Sequence, residues 1–263
     1  MNALSIEGIS AALETAWVGQ QMLFFPSVGS TNDEAMRLAE AGAPEGTLVI
    51  ADFQTAGRGR LDRQWWSPPG SSLLLSLVFR PSFLAPHQAQ RLTMVCSLAV
   101  CDAVEQVTNL MPVLKWPNDV LIDGRKICGL LSELGVVNAC LDYVVVGLGI
   151  NVNVDFGHGD MPESMTSATS LEAAVGHEVS RLSVLAALLR CVEVRYERLR
   201  AGVLPRDEWQ SRLDTLGREV RVTMPGQTLN GLATGVDADG ALLMQLADGR
   251  TVRVLAGDVT LRG

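Results

Sequence analysis

The stretch from Val113 to Leu148 reads VLKWPNDVLIDGRKICGLLSELGVVNACLDYVVVGL. Val113 to Trp116, Val120 to Ile122, Lys126 to Leu134 and Tyr143 to Leu148 read as strands. The turns between them fall at Pro117-Asn118-Asp119, at Asp123-Gly124 and between Val136 and Cys140. Strands that follow one another through short turns pair as antiparallel hairpins, whereas a doubly wound parallel sheet needs crossover helices. The stretch therefore predicts an α+β chain.

Upstream, Arg91 to Val107 carries apolar residues at helical spacing and should lie on the sheet as a core helix. Before it, Ser72 to Phe79 and Thr47 to Phe53 read as strands joined by a long connection, Gln54 to Gly70, rich in Gly, Pro and Arg. Thr31 with Glu34 fits a capping box, Ala35, Leu38 and Ala39 give that helix an apolar face, and Gly42 stops it. Met22 to Phe25 reads as a short strand, and Leu4 to Leu13 as loosely helical. Downstream, Gly157 to Ser167 reads as a surface loop, Ser180 to Arg200 as a strong amphipathic helix and Pro205 to Leu213 as a shorter one. From Thr215 the texture changes to short strands at Glu219 to Thr223, Thr228 to Val236, Ala241 to Leu246 and Thr251 to Leu255. Two domains are expected, 1–214 and a small C-terminal β-barrel at 215–263, too small to carry much core alone.

The 263 residues are 48% hydrophobic and 19% charged, which excludes a disordered chain. With 29 acidic against 21 basic residues the net charge is −8, so nucleic acid is not held by bulk charge and no DNA partner is expected. Cys96, Cys101, Cys128, Cys140 and Cys191 form no CxxC pair and read as small buried hydrophobes. His87, His158 and His177 show no metal spacing, so no metal ligands are assigned. No apolar run reaches the roughly 20 residues of a membrane span, and Met1 to Trp17 lacks Lys and Arg, unlike a signal peptide. The expectation is a cytoplasmic protein with no membrane partner.

Two of the 21 cationic residues are lysines, Lys115 and Lys126, and both lie in the opening stretch. A chain that otherwise writes arginine may use lysine where a compact point charge is needed, as on a phosphoryl group. Gly57 to Trp66, GRGRLDRQWW, sets three arginines against one aspartate. Its glycines let backbone N–H groups approach an anion and its arginines add bidentate contacts, while like-charge repulsion should keep the segment mobile until a ligand arrives. Gly147-Leu148-Gly149-Ile150-Asn151 ends a strand but lacks the third glycine of a dinucleotide fingerprint. Room for a slender ligand tail and a plain bulge both fit it. No P-loop is present.

Taken together, Ser30-Thr31-Asn32, Gln54 to Trp65, the KWPNDV string, Lys126 with Gly129, and Gly147 to Asn151 resemble the biotin protein ligases from about residue 20 to the end. The resemblance implies a mixed, largely antiparallel sheet with helices, a class II synthetase-like core, and a C-terminal SH3-like β-barrel. It implies ATP-dependent activation of biotin to biotinyl-5′-AMP with Mg²⁺, then transfer to a lysine of a biotin carboxyl carrier domain of an acyl-CoA carboxylase. Biotin contacts would come from Ser30, Thr31, Asn32, Gln54, Gly57, Arg58, Gly59, Arg60, Lys126, Gly147 and Gly149. Arg60, Arg63, Trp65, Trp66, Asn118 and Asn151 would meet the nucleotide. Lys126, Asp119, Arg60 and Lys115 would carry catalysis, with Asp119 orienting or deprotonating the incoming amine. Asp62 departs from a glycine that many relatives carry and should stiffen the loop. About 20 residues before the core leave no room for a helix-turn-helix domain, so no operator binding is expected. Competing readings are a lipoate or octanoyl ligase of the same superfamily, a catalytically silent biotin-binding regulator, and a nucleic-acid module on the barrel. Sheet edges leave a homodimer open.

Overall fold

A computed structural model describes residues 4–61, 63–157, 167–224 and 226–261. Asp62, His158 and most of the expected 157–167 loop lie outside the described residues. The main sheet has seven strands in the order β1-β2-β3-β7-β6-β5-β4. They span Met22–Phe25 (β1), Leu48–Ala51 (β2), Ser72–Phe79 (β3), Val113–Lys115 (β4), Asp119–Ile122 (β5), Arg125–Val137 (β6) and Cys140–Asn151 (β7). Every pairing is antiparallel except β1 with β2. The stretch that predicts hairpins forms β4 to β7, four consecutive antiparallel strands, so the sheet is mixed and largely antiparallel.

The helices span Ile6–Ala12 (α1), Thr31–Glu40 (α2), Gln90–Thr108 (α3), Leu171–Val175 (α4), Arg181–Arg200 (α5) and Arg206–Ser211 (α6). The period-2 alternation of strands sorts side chains onto two faces. On β3 and β7, Leu73, Leu75, Leu77, Phe79, Val144, Val146, Leu148 and Ile150 join α3 and α5 in the main core. Val78, Tyr143 and Val145 face the other way and pack on Ala35 and Ala39 of α2. Further along that second face the alternation brings Ser76, Gly147, Gly149 and Gly129 together, since Ser76 pairs Gly147 and Gly129 pairs Gly149. Small residues at neighbouring positions leave a depression in the sheet surface. α4 lacks the length for a clear apolar period and was not legible in the sequence.

The capping-box reading of α2 is corrected. Ser30, not Thr31, is the N-cap (φ −149°, ψ 133°), and its side chain makes no cap bond. Thr31 is the first helical residue, with its hydroxyl turned into the sheet. Gly42, with φ +88°, follows the helix as expected, in a conformation only glycine adopts without strain.

The C-terminal part is a five-stranded antiparallel sheet, β11-β10-β9-β8-β12. Its strands are Glu219–Met224 (β8), Gln227–Val236 (β9), Leu242–Gln245 (β10), Thr251–Val254 (β11) and Asp258–Leu261 (β12). β12 is a fifth strand beyond the four expected. β11 and β12 are opposite edges joined by residues 255–257, which reach at most ~14 Å. A flat sheet would hold those edges ~19 Å apart, so this one is curled like an opened barrel. Its inward residues Val220, Val222, Leu242 and Met244 join the same core as Trp116 and Trp209, both 1% exposed. The Trp116 indole donates to Gly240 O at 2.9 Å and its backbone N–H to the Thr215 hydroxyl at 2.9 Å.

Cys96, Cys101, Cys128 and Cys191 are buried as expected, whereas Cys140 opens β7 at the tip of a hairpin and is exposed. Burial pushes the Cys101 thiol up to about 12. Among the described residues no helix is long and apolar enough to cross a membrane.

One acid anchors the N-terminal segment. Glu193 of α5 accepts the backbone N–H groups of Ala16, Trp17 and Val18 at 2.8, 2.8 and 2.9 Å. Burial raises its pKa, but these three donors outweigh it and hold the carboxyl below its usual range. A depressed folded pKa stabilises above the unfolded value and is lost as pH falls through the folded one. Glu193→Ala should cost about 1 kcal/mol at pH 7, since it removes charge-assisted hydrogen bonds from one exposed and two partly buried N–H donors. The difference from parent in urea midpoint should shrink below about pH 4; a constant difference down to pH 3 would contradict this.

Candidate functional site

A cavity of about 260 Å³ opens over the glycine-lined face, between the start of α2, the β2–β3 connection, the β5–β6 hairpin and the first residues of β12. Of the expected site residues, Ser30, Thr31, Asn32, Gln54, Arg58, Gly59, Arg60, Arg63, Trp65, Lys115, Asn118, Asp119, Lys126, Gly147, Gly149 and Asn151 line it. Gly57 and Trp66 do not. Gly57 serves the hairpin of the connection instead. Trp65 N–H donates to Gly57 O, and a Cβ at 57 would sit 2.6 Å from Trp65 O.

At the inner end, Thr31 N–H and hydroxyl both donate to Gln54 Oε1, at 2.7 and 3.0 Å. The Ser76 hydroxyl lies 2.9 Å from Thr31 Oγ1 and 2.6 Å from Asn32 Oδ1. Asn32 Nδ2 donates to Leu131 O at 3.2 Å and to Glu133 Oε2 at 2.9 Å. Both ends of the Asn32 amide are thus engaged with the protein. The Ser30 hydroxyl and the Gln54 amide N–H₂ keep capacity for a small neutral polar ligand. Gly147 makes room for this network, since a Cβ there would fall inside the Asn32 amide. At Gly149 a Cβ would fall inside the Trp65 indole, so the bare backbone there gives that ring its place against the strand.

The arginine loop is held rather than repelled. Arg58 pairs with Asp33 and Glu133, each at 2.6 Å. Arg63 makes a bidentate pair with Asp258 at 2.5 and 3.2 Å. Arg60 donates to Asn118 Oδ1 at 3.0 Å and Gly257 O at 3.2 Å. Burial pulls the Arg60 pKa down, opposed by the charges of Asp119 and Asp258. Burial also works against Arg58, but Glu133 and Asp33 outweigh it and its pKa rises. The expectation of mutual repulsion fails because acids distant in sequence face each arginine. The ends of the connection are fixed too, by the buried Arg181, whose guanidinium bonds Asp52 Oδ1 at 2.8 Å and Ser72 O at 3.3 Å.

At the outer end, Lys126 Nζ lies 2.6 Å from Asp119 Oδ1 and 5.6 Å from the Trp65 ring centre. β5 and β6 pair through Asp119 and Gly129, which sets these groups across one hairpin. Asn118 Nδ2 donates to Leu130 O at 2.6 Å, fixing its amide toward Arg60. Asn151 is buried, donating to Thr169 O at 3.1 Å. Trp65 Nε1 and Asn151 Oδ1 are buried without partners among the described residues, orphans at a cavity that invite a polar ligand. Among the described residues no cluster of three or more His, Cys, Asp or Glu could hold a metal. The donor set suits a divalent cation only as one carried on phosphates.

Sequence reading missed Ser76, Glu133, Gly257 and Asp258. Ser76 and Glu133 sit on the cavity face by strand alternation, a signal available once the registers are known. Asp258 had no local signal, because its place depends on how the C-terminal sheet returns to the loop.

A model of the biotin/lipoate A/B protein ligase family matches residues 24–151, and one of the biotin protein ligase C-terminal domain matches residues 215–262. The chain is 35% identical over 261 residues to the bifunctional ligase/repressor BirA of Bacillus subtilis, covering 98% of this chain and 79% of that one. It is also 35% identical over 247 residues to the biotin--[acetyl-CoA-carboxylase] ligase of Mycobacterium tuberculosis, covering 91% and 88%. The biotin protein ligase of Aquifex aeolicus in complex with biotin and ATP superposes with a TM-score of 0.76 at 31% identity, over 92% of this chain and 99% of that one.

Proposed function

Because the chain belongs to the biotin/lipoate A/B protein ligase family, we propose that its residues divide the work of a biotin protein ligase as follows. The enzyme joins biotin and ATP to give biotinyl-5′-AMP and pyrophosphate, then transfers biotin to a lysine of a carrier protein. The observation that carries this reading is a single cavity with neutral donors at its inner end and Lys126, Arg60 and Arg63 at its mouth. A neutral ureido head suits Ser30, Thr31 and Gln54, with Asn32 bracing the wall behind. Gly59 backbone, Arg58, Gly147 and Gly149 border the head and tail.

At the mouth the biotin carboxylate attacks the α-phosphorus in line, and negative charge gathers on the phosphoryl oxygens. Lys126, held beside Asp119 and the Trp65 ring, supplies positive charge to those oxygens, with Arg60 and Lys115 in support. Arg63, Trp65, Asn118 and Asn151 meet the nucleotide, with the triphosphate displacing Asp258 from Arg63. A divalent cation carried on the triphosphate would supply charge neutralisation there, leaving Arg60, Arg63 and Lys126 to hold the phosphoryl oxygens. In the second step the acceptor amine attacks the mixed anhydride, the carbon–nitrogen bond forms, AMP leaves, and Asp119 takes the proton the amine must lose. Trp65 and the loop keep water from the anhydride.

We assign 1–214 to the catalytic part and 215–263 to the C-terminal part, which lends Gly257 and Asp258 to the site. A biotin carboxyl carrier domain of an acyl-CoA carboxylase as acceptor, a cytoplasmic location and the absence of a DNA partner complete the proposal, the last supported by the net charge of −8. The test is to mix the protein with biotin, ATP, Mg²⁺ and a recombinant carrier domain. One added biotin at one carrier lysine is expected by mass spectrometry, and none in Asp119→Asn. Labelling of that variant at the parent rate would remove Asp119 from the transfer step.

A further inference from the structure

We infer that Glu133 is a positioning residue through which closure of the arginine loop and binding of the ligand head reinforce each other. The inference rests on the ligase reading of the same cavity. Glu133 lies on β6 with its side chain on the cavity face, partly covered at 27% exposed. A single oxygen, Oε2, accepts from two sources, Asn32 Nδ2 at 2.9 Å and Arg58 Nη2 at 2.6 Å. One donor belongs to the rigid network of Asn32, Ser76, Thr31 and Gln54 at the inner end. The other belongs to the loop that covers the cavity.

The charges make this junction two-sided. Arg58 Nη2 also lies 2.6 Å from Asp33 Oδ1, on the residue next to Asn32. Lifting the loop would withdraw Arg58, the cation that pairs with both carboxylates flanking the head pocket. Glu133 would then turn its full charge on the Asn32 amide, and the repulsion between Asp33 and Glu133 would bear on the first turn of α2, where Thr31 holds Gln54. Conversely, a ligand that fixes Gln54 and Ser30 fixes the first turn of α2 and with it the acids that receive Arg58. Such coupling is reciprocal by thermodynamic necessity: whatever factor closure adds to head affinity, head binding adds to closure.

The test compares the parent with Glu133→Gln, Arg58→Gln and the double variant, by calorimetric biotin binding and by amide hydrogen exchange across 57–65. Each single change is expected to weaken biotin binding about 10-fold, and the double change no more than about 20-fold, since both cut one linkage. Loop amides should exchange faster in Glu133→Gln, biotin should protect them less than in the parent, and KM for biotin should rise far more than kcat falls. A purely structural Glu133 would instead lower the melting temperature and leave biotin's protection of the loop intact. Glu133→Asp, which keeps the charge, should recover part of the affinity; if Glu133→Gln does not melt cooperatively, Arg58→Gln carries the loop-exchange comparison from the other side of the same contact. Multiplying effects of about 100-fold in the double variant, or a Glu133→Gln protein binding biotin within twofold of the parent, would overturn the inference. A parent that binds no biotin at all would instead sink the ligase reading.

Discussion

Lys126→Ala should slow biotinyl-adenylate formation by about 10²–10³-fold, the loss expected when one preorganised charge is removed from a developing anion. The backbone of Lys126 is held independently of its side chain, with its N–H on Ser167 O and its carbonyl receiving Thr169 N–H, both at 2.9 Å. Truncation therefore leaves the hairpin standing and removes the charge alone. Biotin affinity should change by only a few fold, because the head groups lie at the other end of the cavity. Lys126→Arg should not rescue. The lysine tip already sits 2.8 Å from where a Cβ at Gly129 would be, beside the Trp65 ring, so a planar guanidinium has no berth. Quenched-flow measurement of adenylate gives the rate. A loss under tenfold in Lys126→Ala, or full activity in Lys126→Arg, would mean the charge at the mouth comes from elsewhere.

Gly147→Ala should abolish tight biotin binding, by about 100-fold or more, and cost about 1–3 kcal/mol of stability, the range for overpacking a filled interior. The added methyl falls inside the Asn32 amide. Asn32 has little freedom to retreat, being held by Ser76, Leu131 O and Glu133 and sitting in the first turn of α2. The backbone cannot yield either, because β7 is paired on one side with β3 and on the other with β6. Introducing Asn32→Ala into the Gly147→Ala protein should recover stability in urea without recovering affinity. If Gly147→Ala alone binds biotin within threefold of the parent, the inner network is not what shapes the pocket.

The main sheet was legible because each strand from β4 to β7 is bounded by its own turn residues, and the long helices because α3 and α5 keep their apolar period. Strand alternation then accounts for why Gly147, Gly149 and Asn151 share a face. What escaped was non-local. The capping box on Thr31 was misread because a hydroxyl that can cap a helix can equally bond Gln54 and Ser76 across the sheet. The loop was expected to be self-repelling because its neutralising acids, Asp33, Glu133 and Asp258, lie 25, 75 and 195 residues from their arginines, a separation no local pattern reveals. β12 was missed for the same reason, as a four-residue strand whose partner is β8 rather than its neighbour in sequence.

The most direct measurement is to incubate the purified protein with biotin, ATP and Mg²⁺, without acceptor, alongside a parallel reaction with lipoate or octanoate, and identify the product by mass spectrometry. Biotinyl-5′-AMP formed with pyrophosphate, and no acyl-adenylate from the other acids, is the expected result. Tight biotin binding with no adenylate would contradict a ligase and favour a silent biotin-binding protein, while lipoyl or octanoyl adenylate in its place would contradict the biotin head pocket.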